Sequence, residues 1–284
     1  MKTNNCEPVN STESRLFYFA MIFSTLFWVA LTIGTFGGAL LWFASLWIVG
    51  VFVKGAYIAY IKGNSVELSE KQFPELYQAF IECCNDIPEL KTTPKVFIHN
   101  GHGVFNAFAM HFLATNFVVL NASIVNALNG NINALKFVMG HELGHIKRSH
   151  HLVRIICLPA LLLPFVGTTY SRACEYTCDG FGLLCAKNLR DSQLALAALA
   201  CGAEKFKSID IEQFSQQMSY TTEFFNSLNE LLASHPWLCK RVEYIRALQA
   251  NEKPHFPRRP ISSYIPCLFI LNFTRSASFN FLLT

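Results

Sequence analysis

"INALKFVMGHELGHIKRSHHLVR", residues 132–154, holds two histidines four residues apart with a glutamate between them. On a helix of 3.6 residues per turn, His141 and His145 fall one turn apart on the same face. Two imidazoles so placed can bind one metal ion. Glu142, rotated by about 100°, can reach a water beside that ion and act as a general base. The neighbours "FVMG" and "LGHI" are apolar, so the motif reads as half buried, not as a solvated helix face. The whole stretch 132–154 is expected to form one long helix. A catalytic zinc takes three protein ligands, which leaves one to be found.

His151 is the first candidate, because it stands where the pattern HExxHxxGxxH has its third histidine. That pattern turns the chain back at a glycine, and here the position is Arg148. On an uninterrupted helix His151 lies about 9 Å beyond His145, too far to share the ion. His150 falls on the opposite face from His141, and both residues read as bystanders. The second candidate is Glu175, in "ACEYTCD". Glu175 and Asp179 are four apart and share a helix face, so Glu175 can complete a His2Glu set. Asp179 can then accept a hydrogen bond from a ligand imidazole and fix its tautomer. The other reading of the pair is a charged, solvated face; the scarcity of charge in this segment argues against it. Cys174 and Cys178 point about 100° away from Glu175 and read as packing residues.

The composition points to a membrane. Only 15% of the 284 residues are charged, 52% are apolar, and 26 are phenylalanine, more apolar surface than a soluble core requires. No charged residue occurs between Arg15 and Lys54. A single helix of that length would far exceed a bilayer core of about 30 Å. "GTFGG" at 34–38 supplies a turn, so two membrane helices are expected, at about 16–33 and 39–58. The length of the first stretch and the second span behind it argue against a cleaved signal peptide. Lys2 and Arg15 precede the hairpin and Lys54 and Lys62 follow it, which puts both ends on the cytoplasmic side. That suits ten cysteines without a CxxC pair, expected as reduced thiols. The net charge of +4 carries no basic run, so nucleic acid is not an expected partner.

Beyond the hairpin, 65–84 has helical spacing, with Phe73, Leu76, Phe80 and Cys84 on one face. Strands are expected at 94–100 and 117–124, and helices at 171–188, at 192–206 and after "SHPW". Ser234 can cap that last helix, with Pro236 in its first turn. The apolar stretch 155–170 is short and holds two prolines. If His145 and Glu175 share an ion, it cannot cross the bilayer once, and 29 residues are too few for two crossings. It must be re-entrant, interfacial or packed on the hairpin.

HExxH followed by ExxxD, with "NAFA" before it and "SHPW…KR" after it, resembles the membrane-bound zinc metallopeptidases of the HtpX and CAAX-prenyl-protease type. The resemblance covers roughly 60–250. It implies an α+β fold, mainly α, with a zincin-like metallopeptidase domain that holds a small β-sheet (63–256); by composition a transmembrane hairpin (1–62) precedes that domain and an apolar tail (257–284) follows it. The resemblance implies one zinc ion per chain on His141, His145 and Glu175, Glu142 as the base, and Asp179 supporting a histidine. Asn106 and Ala107 would lie on an edge strand that can take an extended peptide by strand addition, and Arg241 or His235 would face the cleft. The chain departs from both types in its membrane part, so the substrate of neither carries over.

The expected partners are the bilayer and a polypeptide substrate, with the catalytic domain on the cytoplasmic side of an inner or cell membrane. The competing expectation is a non-enzymatic membrane protein with a structural metal. Glu142 speaks against it, because a closed structural site has a fourth ligand and no need of a base.

Overall fold

The computed structural model describes residues 8–101, 107–112 and 115–256. Two long helices, α1 (Ser11–Gly34) and α2 (Gly38–Asn64), form the N-terminal hairpin. The Asn10 side chain caps α1 by accepting from Thr12 N, which starts the helix earlier than its apolar run. Gly37, at φ 82°, makes the turn between the helices, a backbone region open to glycine at little cost. Both helices are long and apolar enough to cross a membrane. Ile33, Leu41 and Phe52 are 70%, 76% and 74% exposed.

The domain then runs β1 (Ser65–Glu67), α3 (Pro74–Asp86), β2 (Lys95–His99), β3 (Ala107–Phe112), β4 (Thr115–Asn121), α4 (Ala122–Ala127) and α5 (Ile132–Lys147). It continues through α6 (His150–Ile156), α7 (Leu158–Leu161), α8 (Val166–Ala186), α9 (Leu189–Lys205), α10 (Ile211–Gln216), α11 (Phe224–Leu232) and α12 (Leu238–Ala250). The chain is mainly helical with one small mixed sheet, as expected. The sheet has the order β1-β2-β4-β3. β2 and β4 are parallel, with Val96 opposite Val118, and the other two pairings are antiparallel.

Side chains alternate across the sheet. Val96, Val118, Leu120 and Ala107 face the main core, with Phe80 of α3, Leu143 of α5, Phe181 of α8 and Ile245 of α12. Phe97, Phe117 and Val119 face the other way and bury Ile58 and Ile61 of α2. The hairpin is thereby welded to the sheet's second face. β3 forms the sheet edge beside α5.

Four local expectations change. Residues 65–67 pair with β2 as a strand, and Phe73 leaves the apolar face: it has φ 56°, precedes α3 and is 47% exposed. The strand expected at 117–124 stops at Asn121, whose side chain accepts from Ser123 N and opens α4. The long helix at 132–154 breaks after Lys147, because Ser149 adopts φ 52° and starts α6 in a new direction. Trp237, and not Ser234, stands at the N-cap of α12. The stretch 155–170 packs on the hairpin. Cys157 and Ala160 bury against Ala20 of α1, and Trp28 Nε1 donates to the Ile156 carbonyl at 2.9 Å. The tail 257–284 and Asn106 lie outside the described residues.

Candidate metal centre

Two buried helices, α5 and α8, build the centre. The Asn131 side chain caps α5 by accepting from Ala134 N. Close approach of the helices requires small residues at their crossing. A Cβ placed on Gly140 would sit 2.7 Å from Cys185 Sγ and 2.8 Å from the Phe181 carbonyl oxygen. That contact brings the two ends of the sequence motif, HExxH and ExxxD, face to face.

His141 Nε2 lies 3.5 Å from Glu175 Oε2, and His145 Nε2 lies 3.6 Å from Glu175 Oε1. Donor atoms of a tetrahedral zinc with bonds of about 2.0–2.2 Å are separated by about 3.3–3.5 Å. Two imidazole nitrogens and a carboxylate also form a donor set that zinc accepts. The residues therefore fit the ion. The Cys178 thiol is close to the two histidines, but it touches His150 Nδ1 at 3.8 Å, behind the His145 ring. Burial pushes its pKa well up. Glu175 is the better third donor.

Behind His141 the carboxylate of Asp179 accepts from Nδ1 at 3.0 Å. Arg241 of α12 grips Asp179 with two bonds, Nε to Oδ2 at 2.8 Å and Nη2 to Oδ1 at 2.6 Å. Its Nη1 comes within 3.4 Å of Glu175 Oε2. His235 Nδ1 meets the same oxygen at 3.2 Å from the solvent side. The loop carrying His235 is clamped to α8 by Arg172, which donates to the carbonyls of Glu230, Leu231 and Ala233. His235 and Arg241 both line the cleft, as expected. The sequence did not show that Arg241 is the buried partner of Asp179, because Arg241 stands among Lys240, Glu243 and Arg246 in α12 and nothing in that charged segment singles it out.

The electrostatics follow from burial and pairing. Burial disfavours a charged His141, but the Asp179 and Glu175 carboxylates outweigh it and push its pKa up to about 9. Burial, helped by neighbouring His141, holds His145 well below the ordinary value, so its ring is neutral. Burial penalises the Glu175 charge, yet bonds from His141 and His235 hold its carboxylate well below the usual range. Burial raises Glu142 to about 7, and the backbone of Ala109 on β3 bonds to it.

His141, Glu142, His145, Glu175 and Asp179 thus converge at one place. The cleft above them has a volume of about 500 Å³ and is lined by Ala107, Phe108, Ala109 and Met110 of β3. Ala107 therefore stands on the edge strand beside the centre. His151 stacks on His111 at 4.6 Å and is no partner of Glu175 in the described contacts. His150 is not a bystander: its Nδ1 meets His145 Nδ1 at 2.9 Å, and its Nε2 meets Glu13 of α1 at 3.3 Å. The turn at Ser149 swings it under the metal helix, which a straight helix would not allow.

Comparison with curated proteins finds no match to this chain. The profile of Peptidase family M48 matches residues 70–165 and 156–249. This span contains the histidine pair, Glu175 and the loop of His235. A buried His2Glu donor set with a glutamate beside it agrees with the zinc dependence of that family, and the chain belongs to peptidase family M48.

Proposed function

We propose that the protein is a membrane-anchored zinc endopeptidase that cleaves membrane or membrane-proximal polypeptides on the cytoplasmic side. His141, His145 and Glu175 hold the ion, and Asp179 orients His141. Zinc held there supplies Lewis acidity, lowering the pKa of a water and polarising the scissile carbonyl. Glu142, adjacent to the histidine pair and buried, takes the proton and returns it to the leaving amine. Its raised pKa near 7 suits a group that must carry a proton in both directions. The substrate backbone adds to the edge of β3, whose residues 107–110 line the cleft. The exposed apolar faces of α1 and α2 support the tether, and the bond between the Ala109 backbone and Glu142 supports alignment of a bound strand with the base.

The observation that carries this reading is the convergence of two histidine Nε2 atoms on the Glu175 carboxylate with Glu142 beside them. A purely structural site would not need Glu142 on the cleft wall. Glu142→Gln in the full chain, in detergent, is the test. Zinc content stays at that of the wild type, while hydrolysis of casein falls by at least about 100-fold, the lower end of the range expected for loss of general-base catalysis. Unchanged hydrolysis with zinc in place overturns the enzymatic role of Glu142.

A further inference from the structure

Glu13 is the last acidic residue before the uncharged run of the hairpin. It stands in the first turn of α1 and is 1% exposed. A carboxylate at the start of a candidate membrane helix has every opportunity to face water, and burying it is costly unless it is paired. It is paired twice through one oxygen. Arg148 Nε donates to Glu13 Oε1 at 3.0 Å, and His150 Nε2 lies 3.3 Å from the same atom. The segment before the helix is seated as tightly. Asn10 N donates to Thr177 Oγ1 at 2.9 Å, and a Cβ on Gly180 would meet Pro8 Cβ at 2.5 Å.

The hydrogen-bond directions follow from the metal site. His145 presents Nε2 to Glu175, so its Nδ1 carries the proton. His150 Nδ1, 2.9 Å away, must then accept, and its Nε2 must donate to Glu13. The two candidate ligand histidines are therefore held in parallel ways. A carboxylate holds His141 directly through Asp179, and a carboxylate holds His145 at one remove, through His150. Outer partners of this kind fix a ligand imidazole's orientation and tautomer. Glu13, His150 and the Cys174 thiol also cluster closely, but a second metal there is disfavoured, because the Arg148 guanidinium already supplies the positive charge that Glu13 takes.

We infer that Glu13 of the N-terminal helix is a positioning residue for the metal centre, acting through His150 on His145. The hairpin is then more than an anchor, since its first turn completes the support of the second ligand. This rests on the His141, His145 and Glu175 assignment.

The test is competition between the full chain and a zinc chelator, in detergent, with the cobalt-substituted absorption spectrum and the thermal unfolding of the metal-free protein measured alongside. Glu13→Gln and His150→Phe should each weaken zinc binding by about 10- to 100-fold and shift the cobalt bands. Arg148→Met removes the ion pair but leaves the chain of bonds, and should change zinc affinity by less than about threefold. Wild-type zinc affinity in Glu13→Gln overturns the inference. So does an equal loss in Arg148→Met, which would mean that Glu13 only docks the helix. Retention of zinc by Glu175→Ala at wild-type affinity would instead overturn the ligand assignment itself, and this inference with it.

Discussion

At His141 two opposing effects meet, and their balance predicts a pH dependence. The metal-free ring is protonated below about 9, because Asp179 and Glu175 outweigh burial. Zinc needs that ring neutral, and His145 is already neutral. Zinc affinity should therefore rise about tenfold per pH unit between about pH 7 and 8.5, as one proton is displaced; calorimetry in buffers of different ionisation enthalpy counts it. The stability of the metal-free protein runs the opposite way. A histidine whose folded pKa lies above its unfolded value of about 6.5 stabilises fully below that pH, and the contribution disappears as pH rises through about 9. Thermal unfolding of the chelated protein at pH 6.5 and 9 checks the sign. Arg241 offers a second residue-scale prediction. Arg241→Met leaves the Asp179 carboxylate buried without its guanidinium, which should cost about 3–5 kcal/mol, measured by denaturant unfolding. Much of this chemistry was legible from spacing alone: i, i+4 pairs of His and of Glu and Asp share a face whatever the surrounding fold. His150 was not legible, because its role depends on one left-handed residue, Ser149, that no periodicity announces.

Among the elements, α5 and α8 decide whether a centre exists at all. Their crossing tolerates no side chain at Gly140, where Cys185 Sγ and the Phe181 carbonyl would both lie within 2.8 Å of a Cβ. Gly140→Ala should destabilise the protein by about 1–3 kcal/mol, the usual cost of overpacking, and lower zinc affinity by moving Glu175 away from the histidines. Urea unfolding with parallel metal analysis separates the two effects. The strongly patterned elements were visible in the sequence: the apolar hairpin, the metal helix and the β-branched strands. Boundaries were less so. β1 is three residues long and exists only because β2 offers it backbone partners from Phe97 to His99. Phe73 reads as a core residue by spacing, yet the chain turns at it and exposes it.

Across the whole molecule, the hairpin, the sheet and the metal helices form a continuous structure. Ile58 and Ile61 of α2 pack under the sheet, and Ala20 of α1 packs on Cys157 and Ala160. Removing α1 and α2 should therefore yield an unstable, aggregating domain and not a soluble peptidase, as size-exclusion chromatography of a chain starting at Ser65 would reveal. The division into an apolar N-terminal hairpin and a more polar domain, clear in composition, thus understates how the parts depend on each other; composition records polarity but not which apolar faces meet. The identity of the third ligand is the claim on which the rest depends. X-ray absorption at the zinc edge of the purified full chain tests it most directly. Two imidazole nitrogens at about 2.0–2.1 Å and carboxylate oxygen at about 2.0–2.2 Å, lost in Glu175→Ala, are the predicted result. A sulfur neighbour at about 2.3 Å, or an unchanged spectrum in Glu175→Ala, would contradict it.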